Sequence, residues 1–260
     1  MYNFEISKPS SVADAVSALS AEDAQALGGG QTLIPTLKQR LASPSALISL
    51  TGIAEMKGVS ADGSTVTIGG ATTHATVAAQ AGAYPALAAL ASGIGDPAVR
   101  NRGTIGGSLA NNDPAACYPA AALGSGATIV TNTREIAADD FFTGLFETAL
   151  GEGEIITAVR FPIPERANYQ KFVQPASRFA LVGVFVSKGP GGVRVAVTGA
   201  SEGGVFRWSD AEAALSANYS PDALSGLGAP AQDMIADIHG TPQYRAHLIG
   251  VLTKRAVAAS

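Results

Sequence analysis

Two clusters of glycine, Gly28-Gly29-Gly30 and Gly103 followed by Gly106-Gly107, set the tightest limit on how this chain folds. A run of residues without side chains loses more entropy on folding than any other. It is used where backbone must come very close to another segment or to a ligand. The chain carries 30 glycines among 260 residues. Around them 47% of residues are hydrophobic and the net charge is only −4, which excludes a disordered chain. The length suits one large domain or two to three small ones. With 17 Lys and Arg against 21 Asp and Glu there is no basic footprint for nucleic acid. No stretch reaches the ~18 apolar residues of a membrane span. Asn3, Glu5 and Lys8 interrupt the N-terminus, which has no apolar secretory core, so a soluble, cytoplasmic chain is expected. The single cysteine, Cys117, leaves no disulfide framework, all-cysteine zinc site or iron–sulfur cluster within this chain.

Along the chain, residues 11–19 predict a helix with Val12, Val16 and Leu19 on one face and a Ser11/Asp14 start signal. Residues 32–41 predict a second, with Leu33, Leu37 and Leu41 four apart and Pro35 near its first turn. Residues 46–50 read as a strand, which makes the first ~55 residues β, α, β with a glycine loop before a helix. Residues 65–69 predict a strand, 73–80 a helix, and the stretch from Tyr84 another helix presenting Leu87, Leu90 and Ala91. Residues 93–107 read as one long loop, 114–123 as a helix start, and 127–131 and 154–162 as strands. Three strand candidates follow, 169–173, 180–188 and 193–201, the last two joined by a Gly-Pro-Gly-Gly turn. The end reads as helical in three pieces, at 209–216, 230–240 and 242–257.

Both glycine loops suit a ligand carrying a diphosphate. Buried phosphate charge needs N–H donors at close range, and glycine-rich turns supply them. A helix following the first loop adds a favourable dipole. Neither loop has the G-x-G-x-x-G spacing of a Rossmann turn or the Lys-Ser/Thr of a P-loop. The residues alone leave a ligand-free tight turn open for each. His74, His239 and His247 are too scattered for a metal site.

GGGQTLIPTLKQRLASPSALISL, IGDPAVRNRGTIGGSLANNDPAA, EGEIITAVRFP, YQKF and the C-terminal QYRAHLIGVLTKRAV together resemble the FAD-binding medium subunit of molybdenum hydroxylases, the carbon monoxide dehydrogenase and xanthine dehydrogenase family. The resemblance spans essentially the whole chain, and the pairing of GGGQT with TIGGS is its most specific part. It implies an α+β fold: a two-part FAD-binding domain of the vanillyl-alcohol-oxidase-like, PCMH type at 1–57 and 58–167, then a C-terminal domain of antiparallel sheet plus helices at 168–260.

The resemblance also implies site residues. Gly28, Gly29, Gly30, Gln31 and Thr32, with Leu33 behind them, would wrap the FAD diphosphate. Thr104, Ile105, Gly106, Gly107 and Ser108 would form a second wall, with Ile94 against the cofactor. Thr73 would sit nearby, although its hydroxyl equally suits a helix cap. Ile155 or Ile156 would touch a ring. Lys171 would bring charge near the flavin, or else be an exposed strand lysine. Cys117 stands where the family pattern has an aspartate; a thiol accepts hydrogen bonds poorly. Asn112 or Asp113 would then replace it as acceptor, with Cys117 a small apolar filler.

Functionally, the resemblance implies an oxidoreductase chain without catalytic acid–base residues or metal of its own. It would relay electrons through FAD from the 2Fe-2S clusters of a small partner to an external acceptor. Substrate would be oxidised at a molybdenum cofactor on a large partner, in a dimer of heterotrimers. The alternative is a stand-alone FAD-dependent oxidoreductase acting directly on a small substrate. A bulky residue at Gly106 or Gly107 is expected to abolish FAD retention with the fold intact.

Overall fold

The computed structural model describes residues 1–260 and contains three main sheets in chain order. The first is parallel, in the order β1-β3-β2, from β1 (Glu5–Ser7), β2 (Ala24–Leu27) and β3 (Ala46–Ser49). Parallel neighbours need crossover helices, and the chain supplies α1 (Val12–Leu19) and α2 (Leu33–Lys38). Ser11 caps α1, its hydroxyl accepting the Asp14 N–H at 3.1 Å. Val12, Val16 and Leu19 pack towards a small core of Ala15, Ile48, Ile53 and Met56. Ala71 and Ile155, from beyond the first sheet, complete that core.

The second helix is shorter than its leucine spacing predicts. Arg40 turns left-handed (φ 61°), and the Leu41 and Arg40 N–H groups return to the Thr36 and Leu37 carbonyls. This is a Schellman stop made without glycine. Leu41 is thrown outward and is 73% exposed.

The second sheet is antiparallel, β4-β5-β10-β6-β7, from β4 (Val59–Ala61), β5 (Thr65–Gly69), β6 (Thr128–Thr131), β7 (Glu135–Ala137) and β10 (Ile156–Pro162). Strand β10 pairs with β5 on one side, Val66 opposite Phe161, and with β6 on the other. Five helices lie between β5 and β6: α3 (His74–Gln80), α4 (Pro85–Ser92), α5 (Pro97–Arg102), α6 (Ile105–Asn111) and α7 (Cys117–Ser125). Two of these occupy the stretch expected as one loop. Asp96 caps α5 by accepting the Val99 N–H at 2.9 Å, with Pro97 in its first turn. Thr104 caps α6 by accepting the Gly107 N–H at 3.2 Å. Both are ordinary start signals, masked in the sequence by the surrounding glycines. A short helix, α8 (Ala138–Phe141), and a small hairpin, β8 (Phe142–Gly144) with β9 (Glu147–Thr148), follow before β10.

The third sheet is a meander of β11 (Arg166–Val173), β12 (Ala180–Gly189), β13 (Gly192–Ser201) and β14 (Gly204–Arg207). The β12–β13 hairpin turns at Gly192 with φ 92°. Both faces of β12 are covered. Val182, Val184 and Val186 face a core shared with α9 (Ser209–Ala217) and α10 (Pro242–Ala258), while Ala180 and Phe185 face the core around α7. Double burial explains why this strand is almost uniformly apolar instead of alternating.

Residues 230–240 are not the helix their composition suggests. Met234 bridges to Ser201 and is buried, while Ile238, four residues on, is 96% exposed. The Asp237 carboxylate instead accepts the His239 and Gly240 N–H groups and a bidentate pair from buried Arg245.

The third sheet is tied to the helical insert by Thr198. Its buried hydroxyl donates to the Pro114 and Ala116 carbonyls at 2.9 and 2.7 Å, and the next N–H, of Gly199, also reaches Pro114 O. Thr198→Val keeps the shape and orphans the Ala116 carbonyl, while Pro114 O keeps the Gly199 N–H. It is expected to cost about 1–3 kcal/mol, read as a lower midpoint in denaturant at unchanged slope.

Candidate functional site

The chain folds around a cleft of about 620 Å³ where the first two sheets and the helical insert meet. One wall is the loop from β2 to α2, Gly28 to Thr32. Opposite it lie the Gly70-Ala71 turn after β5, His74, and residues 103–108. Asp113, Ala115, Ala116, Leu150, Glu154, Ile155, Ile156 and Phe179 complete the lining. The volume lies within the range of cofactor pockets.

Glycine is obligatory at several points of the wall. A Cβ built on Gly29 comes within 2.0 Å of the Arg102 carbonyl oxygen, and one on Gly70 within 2.0 Å of the Ile156 oxygen. One on Gly106 meets the Gly70 oxygen at 2.6 Å. Gly30 has φ 72°, a left-handed conformation in which a side chain is strained.

The two glycine loops do different jobs, although both are expected to bind phosphate through their amides. In the first, the N–H groups of all six residues from Gly28 to Leu33 donate to no protein atom. Buried backbone donors are normally paired, so this row, half-buried at Gly28–Gly30 and Leu33 and exposed at Gln31 and Thr32, is a ready receptor for an anionic oxygen. The helix behind it has only six residues, and the receptor rests on the amides themselves.

In the second loop the donors are already engaged. The N–H groups of Gly103, Ile105 and Gly106 reach the carbonyls of Val99, Thr72 and Gly70. Those of Gly107 and Ser108 reach Thr104, at its hydroxyl and carbonyl respectively. The TIGGS segment is a close-packed wall that docks α6 on the β5–α3 turn. Its open surface is at Gly107 and Ser108.

The residues named from the sequence separate accordingly. Gly28 to Leu33, Thr104, Gly106, Gly107, Ser108, Asp113, Ile155 and Ile156 line the cleft. Ile105 is fully buried in the core beneath it, and Ile94 packs against that core from outside. The Thr73 hydroxyl caps α3, accepting the Thr76 N–H. Asn112 is a structural clamp, left-handed at the end of α6, whose amide donates to the Gly144 and Glu147 carbonyls. Cys117 is buried at the start of α7. Lys171 is half-buried rather than a free strand lysine: its ammonium donates to the Gly93 and Arg178 carbonyls and lies 3.8 Å from Cys117 Sγ. None of these six faces the cleft.

Sequence reasoning missed Gly70, His74, Glu154 and Phe179, all of which line it, as does Gly103 at the start of the second glycine loop. Gly69-Gly70 at a strand end was a usable signal for a tight approach; Phe179 had none. Glu154 fastens the segment carrying Leu150 and Ile155. Its carboxylate accepts from the Arg134 guanidinium, the Thr131 and Thr133 hydroxyls and the Gly151 N–H. The Arg134 bonds first, then the smaller bonds, outweigh burial and hold this carboxyl well below the usual range.

This fold and this cleft define a PCMH-type flavin-dinucleotide-binding protein. Residues 2–164 match the model of the FAD binding domain in molybdopterin dehydrogenase. The chain is 37% identical to the nicotine 6-hydroxylase medium subunit of Paenarthrobacter nicotinovorans, over 96% of this chain and 94% of that one. It is 33% identical to the carbon monoxide dehydrogenase medium chain of Afipia carboxidovorans, over 98% and 96%. Its backbone superposes on reconstituted CO dehydrogenase from Oligotropha carboxidovorans with a TM-score of 0.88 at 30% identity, covering 99% of this chain and 97% of that one. The chain belongs to the FAD-binding medium subunits of the molybdenum hydroxylases, an oxidoreductase family.

The two TIGGS glycines are expected to respond differently. Gly106→Val drives a side chain into the Gly70 carbonyl and lowers thermal stability. At Gly107 a Cβ meets only the Thr104 hydroxyl, at 3.0 Å, so Gly107→Val keeps its melting temperature while FAD affinity falls at least about tenfold, or 1.4 kcal/mol.

Glu154→Gln weakens the Arg134 clamp. Because the folded carboxyl titrates below its unfolded value, its contribution is present above that value and fades as pH falls through and below it. The gap in melting temperature between native protein and Glu154→Gln is therefore largest near pH 7 and narrows below about pH 4.

Proposed function

We propose that this chain is the FAD-carrying electron-transfer subunit of a heteromeric molybdenum hydroxylase. The observation that carries the reading is the row of six unpaired backbone N–H groups from Gly28 to Leu33 along one wall of the 620 Å³ cleft. A dinucleotide diphosphate fits it. The acceptors are phosphate oxygens, the donors are fixed, and the Gly29 and Gly70 contacts allow no side chain to intrude. Gly28, Gly29, Gly30, Gln31, Thr32 and Leu33 would hold the diphosphate. Gly107 and Ser108 would flank it, with Asp113 as an acceptor for sugar hydroxyls. Ile155, Ile156 and Phe179 would supply apolar contact. Bound there, FAD exchanges electrons singly or in pairs, and that chemistry is the cofactor's own.

The chain's own residues bind and orient; they offer little else. Among the titratable groups on the cleft, Glu154 is tied into its clamp. Asp113 accepts the Ala115 N–H in a local turn, and the His74 imidazole is buried. The relay is favoured over a stand-alone oxidoreductase by the match to medium subunits of multi-subunit dehydrogenases, and it asks no general acid or base of this chain. In the same proposal, 2Fe-2S clusters on a small partner supply electrons and a large partner holds the molybdenum cofactor. The assembly is a dimer of heterotrimers in the cytoplasm, built on the division 1–57, 58–167 and 168–260 within this chain. No helix is long and apolar enough to cross a membrane.

The test is purification from flavin-replete cells with the neighbouring gene products co-expressed. The expected result is a flavin absorption spectrum, FAD released on denaturation, and an iron–sulfur and a molybdenum subunit in the same complex. A chain that folds and binds no FAD overturns the cofactor reading. A flavin-loaded chain that oxidises a small substrate alone overturns the relay.

A further inference from the structure

The imidazole of His74 has no role in the fold that its surroundings explain. It is the first residue of α3, 5% exposed, and its ring lines the cleft. Its Nδ1 is enclosed and has no hydrogen-bond partner, and its ring packs on that of Tyr118 at 5.3 Å between centroids. Nε2 is the nitrogen that is not enclosed. It lies against Gly103, where a built Cβ would come within 2.5 Å of it. Gly103 in turn lies under Gly29, whose own built Cβ would reach the Gly103 Cα at 2.6 Å. The ring therefore lines the cleft wall beside the Gly29–Gly103 contact, next to the row of free amides.

A neutral imidazole has one donor nitrogen and one acceptor. An enclosed N–H without an acceptor is the costlier orphan, so the proton belongs on Nε2, the nitrogen with access. Burial first, and then the positive charge of Arg100, push the group down to about 4, which keeps it neutral at ordinary pH. A charged histidine would need burial to be repaid by a partner, and Nδ1 has none.

We propose that His74 is a cofactor-binding residue of this cleft, its Nε2–H donating to an oxygen of the bound diphosphate beside the Gly28–Leu33 amides. The inference rests on the FAD reading above and adds to it a side-chain donor in a loop otherwise built from backbone. It also gives Gly103 a purpose, because any larger residue there would push the ring off the cleft.

The experiment titrates the full chain, stripped of flavin, with FAD, ADP and FMN, following fluorescence quenching for the flavins and calorimetry for ADP. His74→Leu is expected to weaken FAD and ADP alike, by about tenfold. FMN, which has a single phosphate, should change less, and His74→Gln, which restores a donor, should recover most of the loss. Histidine labelled with 15N reports on the unsubstituted protein: with three histidines in the chain, the His74 signals should show protonated Nε2 and bare Nδ1, and Nε2 should shift on adding ADP. A protonated Nδ1, an Nε2 signal indifferent to bound ADP, or a folded His74→Leu protein with native FAD and ADP affinity would each overturn the assignment. If the loss falls on FMN and not ADP, the diphosphate contact is likewise overturned. Failure of the native chain to bind FAD is a separate result that overturns the cofactor reading itself.

Discussion

The cleft depends on one contact between two stretches of bare backbone, Gly29 against the carbonyl of Arg102. A Cβ there would overlap the oxygen at 2.0 Å, so the first sheet and the helical insert can meet at this distance only without a side chain. The contact fixes the bent β2–α2 loop against the insert. Its Gly30 and Thr32 carbonyls accept the first N–H bonds of α2, while its own N–H groups enter no helix or ladder and stay free. The binding surface is thus a by-product of packing: the two halves press together, and the amides left over face the gap.

The remaining walls are stiffened from behind by polar groups that never reach the cleft. Asn112 staples the end of α6 to the β8–β9 hairpin through two carbonyls. Thr198 pins residues 114–116 to the third sheet. Lys171 joins β11 to the end of α4 at Gly93 and to Arg178 in the turn before β12. Asn112 and Thr198 satisfy part-buried carbonyls, the condition for keeping irregular backbone inside a packed protein, while the Lys171 bonds tie two exposed segments together. Lys171 and Cys117 sit together behind the wall, in this supporting layer and outside the lining.

Most of the fold was legible because its elements carry strong local signals: Ser11 before α1, the shared face of Leu87, Leu90 and Ala91 in α4, the Gly-Pro-Gly-Gly hairpin between β12 and β13. Legibility failed where one signal hid another. Asp96-Pro97 and Thr104 are helix starts, and the glycines beside them disguised both. Residues 230–240 have helical composition, but Asp237 is committed to Arg245 and to two backbone amides, and tertiary bonding overrides propensity. In the site, contiguous motifs were visible while single residues were not. The spacing of GGGQT and TIGGS announced close approach, yet only coordinates distinguish free donors in one from engaged donors in the other. Ile105 shows the same limit: it sits inside the motif and points into the core. Phe179 reaches the cleft from the third sheet across the chain, and nothing local in the sequence marks that.

The placement of β10 has a consequence for biogenesis. This strand is the middle member of the second sheet, yet its partner β5 ends at Gly69 and all five inserted helices emerge before it. Until residues 156–162 have left the ribosome, β5 and β6 have no common neighbour, Ile155 and Ile156 cannot reach the cleft, and the Gly70 turn lacks the Ile156 carbonyl that it packs against. Pairings of such long sequence separation form late and slowly. A nascent chain therefore holds β4–β5 and β6–β7 as two separate pairs with the apolar helical insert between them, and the cofactor can be captured only as a late event, when a single strand slides between the two pairs and joins them into one sheet.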